Sequence, residues 1–334
     1  MIRSAIILLS TIWLSACASL SHQNGSEEEP PEIAHDLPLT EALTAALDHG
    51  DITLRKVVRL IGLRKQWPEA GDWVAEEVRQ HFSDWSSVRL INAIQLYEAT
   101  DHPEAAELFY TLSSSDRHLA QQLAWHLAAA RPSRSMRQKI EERLTYAIDR
   151  NALKEVYWPE MADAVANNHL TSSYTVVRQA LFENNHPRFA LSLATLDPAR
   201  ASGDFMDYLA LASLEELRQL SLNSIDVFTC MEIFRHFMKH PPSVNHPKFP
   251  HLFHYAISRN TALSDMAREV LSGFLPDQNG HLAQMLARMP NWVQSAFVEG
   301  SGRKMTPVLG LFLQEFRHTT SQQEVIREID HVAR

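Results

Sequence analysis

"LYEATDHPEAAELFYTL" spans Leu96–Leu112 and "LFENNHPRFALSLATL" spans Leu181–Leu196. With one deletion the two stretches align on a leucine, an aromatic and a glutamate, then His-Pro, an alanine and a closing Thr-Leu. Each reads as the end of one helix, a tight turn at His-Pro, and a second helix with apolar residues in its second turn. Proline suits that position, because the first helical turn leaves its N–H groups without intrahelical partners and proline has none to waste. The same start signal occurs as "WPEAGDWV" from Trp67, "WPEMADAV" from Trp158 and, more loosely, "HPKFPHLF" from His246. Successive signals from Trp67 through His102, Trp158 and His186 to His246 lie 35, 56, 28 and 60 residues apart.

The flanking sequence agrees with a helical chain. No glycine lies between Gly71 and Gly203, nor between Gly203 and Gly273, whereas strand-rich domains need glycine turns far more often. Apolar residues recur at helical spacing: Met136, Ile140, Leu144 and Ile148; Ala105, Leu108, Phe109 and Leu112; Leu119, Leu123 and Leu127. Asp84 is placed to open a helix carrying Leu90, Ile94 and Tyr97; Thr306-Pro307 reads as a cap followed by a first-turn proline. Ser321 with Glu324 has the spacing of a capping box, opening a last helix with Val325, Ile329 and Val332 on one face. A helix, a turn and a second helix, repeated, is the unit of an α-solenoid. The pattern resembles degenerate tetratricopeptide or HEAT-type repeats over Leu39 to Leu196, although the full tetratricopeptide signature is absent. The expected fold is all-α: an irregular solenoid of stacked helix pairs over residues 39–334, forming a single elongated or curved domain with a possible subdivision near residues 200–245.

The N-terminus carries a different message. Met1-Ile2-Arg3 precedes an apolar run from Ala5 to Leu14 broken only by Ser10 and Thr11. That is the layout of a secretory signal peptide, and at about ten residues it is half the length of a spanning helix. The exit reads Leu14-Ser15-Ala16-Cys17 and resembles the lipobox of bacterial lipoproteins. The resemblance implies cleavage of residues 1–16 and acylation of Cys17, and with Ala18 following the cysteine it implies the outer membrane, facing the periplasm. The three chains such a cysteine carries would make the anchor nearly permanent, since each buried methylene contributes about 0.8 kcal/mol. Residues 17–38, acidic and containing three prolines, read as the lipidated cysteine and a flexible tether. Such a segment reaches about 25 Å.

The chain has 31 basic and 40 acidic residues, a net charge of −9. That sign argues against non-specific nucleic-acid partners. With Cys17 acylated, Cys230 has no disulfide partner and sits in "VFTCM" on an apolar helical face, where a thiol acts as a small hydrophobe. Tryptophans outside the leader, including Trp125, Trp158 and Trp292, are expected mainly in helix packing, with one or two available to anchor a ligand.

Candidate chemistry is sparse. Five of the 17 histidines fall between His236 and His254: His236, His240, His246, His251 and His254. The i, i+4 and i, i+3 pairs could each present two imidazoles on one face, a ligand set that suits zinc. Surface histidines beside a proline-rich loop are the plainer alternative, and no HExxH motif occurs. "EGSGRKMTP", Glu299 to Pro307, lacks P-loop spacing. Ser301 and Lys304 match S-x-x-K without its companion motifs, and the stretch reads as a basic loop between helices. Paired carboxylates such as Glu76/Glu77 and Glu141/Glu142 point about 100° apart on a helix and do not share a substrate. No catalytic residue and no cofactor is expected. The resulting expectation is a membrane-anchored periplasmic scaffold that holds another envelope protein through a helical surface, in envelope assembly or secretion. The alternatives are a peptidoglycan enzyme or its regulator, and a metal- or small-ligand-binding lipoprotein using the His236–His254 region.

Overall fold

The computed structural model describes residues 39–48, 57, 69–100, 102, 104–219, 222–275 and 277–332. The leader, Cys17, the tether and the Trp67-Pro68 start signal lie outside the described residues. What is described is all-helical, with no strand among the described residues. Contacts divide the chain into two compact units: one takes the residues up to Val78 with Asp84–Thr100, the other takes Arg79–Ser83 with the chain from Asp101 on.

The first unit contains α1 (Leu39–Asp48), most of α2 (Ala70–His81) and α3 (Ser87–Ala99). Leu90, Ile94 and Tyr97 are buried as their spacing predicts. The cap of α3, however, is Ser86, whose Oγ accepts from Arg89 N at 3.2 Å, and Asp84 precedes the helix by three residues. A serine two places nearer the apolar stripe offers the same acceptor in the right register. Buried Asn92 ties α3 to α1 by donating to the Leu47 carbonyl at 3.0 Å.

The second unit holds the remaining helices: α4 (Ala105–Ser113), α5 (His118–Ala130), α6 (Arg134–Asp149), α7 (Trp158–Asn167), α8 (Tyr174–Asn184), α9 (Pro187–Leu196), α10 (Pro198–Leu209) and α11 (Leu214–Leu217). After them come α12 (Val227–Phe237), α13 (His251–Ala256), α14 (Thr261–Ser272), α15 (Asn279–Ala287), α16 (Asn291–Gly302), α17 (Pro307–Thr319) and α18 (Gln323–Val332). Helices α5, α7, α9, α12 and α14 pack side by side in that order. Their starting residues, 118, 158, 187, 227 and 261, are separated by 40, 29, 40 and 34 residues. Each neighbour in the row is reached through one intervening helix, or through two between α9 and α12, a solenoid-like succession of stacked helix pairs.

Hydrogen bonds fix the direction of the row. At the start of α5 and α7, Gln122 Nε2 donates to Glu160 Oε1 at 3.2 Å; at their ends, Asn167 Nδ2 reaches the Ala129 carbonyl at 3.0 Å. Arg188, second in α9, lies 3.6 Å from Glu160, third in α7. Thr229 near the start of α12 meets the Asn185 carbonyl just before α9, and His236 near its end meets the Pro198 carbonyl just after α9. Thus α5, α7, α9 and α12 run parallel. Among the intervening helices α4 packs on α6, and polar contacts add to the links: Lys139 of α6 to Glu107 of α4 at 3.7 Å, Glu141 of α6 to Ser172 before α8 at 3.1 Å, and Arg178 of α8 to Asp204 of α10 at 2.5 Å.

The His-Pro signal starts helices in both sets. His102 precedes α4, an intervening helix, whereas His186 precedes α9, a member of the parallel row. The two aligned stretches therefore share a His-Pro turn and not a place in the architecture. At "HPKFPHLF" the chain makes turns until Pro250, and the helix begins at His251. Other helix starts follow the sequence closely. Thr306 Oγ1 accepts from Leu309 N at 3.2 Å with Pro307 in the first turn. At α18 the Gln322 carbonyl takes the first helical bond, from Ile326 N, so the cap position belongs to Gln322 and not to Ser321. The capping box seen in the structure is Ser213 with Glu216. Two further readings shift. Ile148 is exposed and Ala147 is buried in its place, because a strict four-residue step drifts off a 3.6-residue turn. Residues 299–302 belong to α16, so "EGSGRKMTP" is a loop only from Arg303.

The core is rich in edge-to-face aromatic pairs. Phe109 meets Trp125 at 5.1 Å; Phe253, Phe297 and Phe312 follow at 5.4 and 6.0 Å. Each fully buried ring of this size contributes about 1.5–3 kcal/mol. Helix ends are closed by asparagine. Asn168 is fully buried; its Nδ2 donates to the Ala128 carbonyl at 2.9 Å and the Ala164 carbonyl at 2.8 Å, while its Oδ1 accepts from Ser133 N at 3.2 Å. One side chain thereby closes α5, opens α6 and ends α7. Replacing Asn168 by leucine leaves an N–H and a carbonyl stranded in the interior, and urea unfolding is expected to show a loss of about 2–4 kcal/mol. Asn167→Ala, which removes one less-buried bond, is expected to cost about 1 kcal/mol.

Candidate functional site

The histidine-rich segment shows why imidazole recurs in this chain. At each His-Pro turn the ring accepts from the backbone two residues on: His102 Nδ1 from Glu104 N, His186 Nδ1 from Arg188 N and His246 Nδ1 from Lys248 N, all at 3.2 Å. Proline has no N–H, so the first free donor of the turn is the one after it, and that donor is the one the ring takes. Three of the sequence's start signals thus share one turn bond to a bare Nδ1, and at His186 it is also the helix cap, whereas α4 begins after Glu104 and α13 after Pro250.

The two pairs singled out as ligand candidates do different work: His236 lies in α12 with His240 three residues past its end, and His251 and His254 lie in α13. His236 of α12 is buried; its Nε2 lies 2.9 Å from Ser202 Oγ and 3.1 Å from the Pro198 carbonyl. Ser202 Oγ in turn donates to the His240 carbonyl at 2.9 Å. Because both carbonyls only accept, Ser202 spends its proton on His240 and His236 Nε2–H faces Pro198 and the serine oxygen. The rings of His236 and His240 stack at 5.0 Å, and Phe205 meets His236 edge-on at 5.2 Å. Burial, with the neighbouring His240 and Lys239, lowers His236 to about 4. On α13 the rings of His251 and His254 meet edge-to-face at 5.2 Å, and burial followed by the charge of His251 lowers His254 to about 4. His246 lies 4.0 Å from Asp207. Among the described residues, no group of three or more His, Cys, Asp or Glu side chains converges to hold a metal ion.

Cys230 is buried and its thiol is pushed well up by desolvation, so it is not poised as a thiolate. Ser301 is buried and donates to the Phe297 carbonyl at 2.7 Å, which removes it from any nucleophilic pairing with Lys304. An apolar gap of about 10 Å³ between Phe253, Leu271, Leu282, Phe297 and Leu309 is too small for a ligand. Trp125 is buried in packing, whereas Trp292 is partly exposed beneath the Arg218 guanidinium at 4.8 Å.

The solvent side of the parallel row is the more informative surface, and sequence reasoning missed it. Arg188 bridges Glu160 and Asp163 at 3.6 and 3.4 Å. Burial raises the Asp163 carboxyl to about 6; Arg188 opposes the rise, and Glu160 adds to it. One turn beyond Arg188, Leu191 is 43% exposed, and on the next helix of the row Phe228 is 68% exposed. The sequence signal for these residues is weak, because both fall within otherwise ordinary amphipathic helices.

The lowered histidines set an acid limit. A histidine whose folded pKa lies below its unfolded value of about 6.5 contributes stability present above pH 6.5 and lost as the pH falls toward 4. For buried His236 that difference is on the order of 3 kcal/mol. Asp163, raised to about 6, works in the opposite direction between pH 6 and its ordinary value, so a comparison with a variant isolates the histidine. Unfolding free energies at pH 7 and 4.5 are expected to differ less in His236→Gln than in the wild type, by roughly 2 kcal/mol. An unchanged difference removes His236 from the acid response.

No family model matches the chain, and neither a curated protein nor a solved structure matches it.

Proposed function

We propose that the chain is a membrane-anchored periplasmic scaffold that binds another protein through the solvent side of its parallel helix row, in envelope assembly or secretion. The observation that carries the reading is the exposure of Leu191 and Phe228 on the adjacent helices α9 and α12, with Leu191 one turn from Arg188 and its ion pair to Asp163. Large apolar side chains next to fixed charges are the composition of a protein-binding centre with a polar rim. Four parallel helices packed side by side and tied near their ends by hydrogen bonds and an ion pair offer a pre-organised surface, which lowers the ordering cost of association. The anchor rests on the resemblance of Leu14-Ser15-Ala16-Cys17 to a lipobox. No described helix is long and apolar enough to cross a membrane. A lipid at Cys17 would confine the scaffold to the membrane surface and raise the effective concentration of any partner there.

Two measurements test the two halves separately. Cys17→Ser is expected to move the protein from the membrane pellet to the soluble fraction with its helical circular dichroism intact; continued pelleting discards the lipid anchor. Full-length protein captured from detergent-solubilised membranes is expected to bring down a partner, and Leu191→Glu/Phe228→Glu to reduce its yield at least about tenfold at unchanged helicity. Equal capture by the double variant excludes this face as the binding surface.

A further inference from the structure

Helix α6 carries a second surface of different chemistry. Only Met136, Ile140, Leu144 and Ala147 of its sixteen residues are buried, so most of its circumference faces solvent. Between Arg134 and Arg150 the chain places five basic residues against three acidic ones, in a protein whose net charge is −9. The first turn of α6 contains no acidic residue and carries Arg134 and Arg137, the reverse of what the helix macrodipole favours.

The basic residues are ordered. Lys139, Arg143, Tyr146 and Arg150 follow at i, i+4, i+7 and i+11 and form one stripe along the helix. Tyr146 is 44% exposed, with the Arg143 guanidinium 5.2 Å and the Arg150 guanidinium 4.7 Å from its ring centroid. Beside them on α4, Tyr110 is 41% exposed under the Lys139 ammonium at 4.7 Å. Lys139 also has carboxylates, Glu107 at 3.7 Å and Glu142 at 3.4 Å. Among the described residues, neither Arg143 nor Arg150 has a carboxylate within 4.0 Å, and each guanidinium lies over the Tyr146 ring. A guanidinium stacked on a ring keeps its plane fixed and its N–H edge free, which is the geometry that grips a carboxylate with two parallel hydrogen bonds.

We infer that the Lys139–Arg143–Tyr146–Arg150 stripe, with Tyr110, is the docking site for an acidic, extended segment of a partner protein. Charge complementarity selects glutamate- or aspartate-rich sequence, and the exposed tyrosines give such a segment apolar area between its charges. An anionic lipid surface fits less well, because Glu141, Glu142 and Asp149 also lie exposed on this helix and would be pressed against the headgroups. The protein nature of the ligand rests on the scaffold reading; the stripe itself does not require the α9–α12 face.

The probe is a fluorescein-labelled peptide of alternating glutamate and serine, titrated by anisotropy with the full chain, with a glutamine-serine peptide as reference. The glutamate peptide is expected to bind in a salt-sensitive manner and the glutamine peptide to bind at least about tenfold more weakly. Arg143→Gln/Arg150→Gln is expected to weaken binding about tenfold. Arg143→Lys/Arg150→Lys, which keeps the charge and loses the fork, is expected to weaken it severalfold, and Arg327→Gln on α18 to leave it unchanged. Absence of glutamate-peptide binding, equal affinity in the double glutamine variant, or equal loss from Arg327→Gln overturns the assignment. It is also overturned if the arginine substitutions reduce binding to phosphatidylglycerol vesicles while peptide binding stays the same. Loss of native partner in Leu191→Glu/Phe228→Glu with unchanged peptide binding would separate a failure of one surface from a failure of the other.

Discussion

A helix of ten or so residues has nearly as many end groups as interior ones, and every end leaves backbone donors or acceptors that the helix itself cannot satisfy. In a body made of short helices packed side by side, many of those ends face protein and not water. The arrangement of this chain follows from how they are closed. Asn168 closes three helix termini at once, Asn92 reaches the last turn of α1, and Asn185 enters the left-handed region at φ 50° to end α8 while its Oδ1 accepts from Tyr208. Asparagine suits these places because it tolerates that backbone conformation and carries both a donor and an acceptor on a short stem. The parallel direction of the row is the visible result: α5 and α7 come into register because the Asn167 and Asn168 amides at the end of one need the carbonyls at the end of the other.

The same constraint explains which parts of the fold were legible. Apolar stripes that lie in mid-helix, such as Leu108, Phe109 and Leu112, are buried as their spacing implies, since burial there depends only on having any neighbour. Ends were harder. A serine at 86 and an aspartate at 84 both offer an acceptor, and the choice is made by where the stripe begins relative to its packing partner, which local sequence does not record. The His-Pro similarity reflects turn chemistry and not repeat position: an imidazole accepting the first free N–H after proline works equally well ahead of either kind of helix, so it recurs without marking the architectural period. That period, the 40-, 29-, 40- and 34-residue spacing of the row, is set by intervening helices and turns of unequal length.

The histidines illustrate a related ambiguity. Two imidazoles four apart on a helix satisfy the spacing of a metal site and of a stacked pair equally. What decides is the third dimension: Ser202 and the Pro198 carbonyl come from α10 and its first turn, and they engage His236 as a buried hydrogen-bonding group. The surface that the parallel row presents was invisible for the opposite reason. Leu191 and Phe228 are unremarkable in sequence, and they acquire meaning only because α9 and α12 stand side by side with those residues turned to solvent.

The row and the intervening helices leave different surfaces exposed, and this bears on how the body can engage more than one contact. Row helices meet through buried apolar faces and terminal hydrogen bonds, so most of their substitutable positions lie on the narrow exposed strip that includes Arg188, Leu191 and Phe228. The intervening helix α6 buries one narrow face and adds the Lys139–Glu107 pair outside it, leaving a broad exposed flank on which charge can accumulate at little structural cost. Exposed ion pairs contribute about 0–1 kcal/mol each, so such a flank can alter its charge without loosening the fold. A mainly apolar contact on the row and a carboxylate-gripping contact on α6 can therefore change independently in sequence, each constrained by its own layer of the packing.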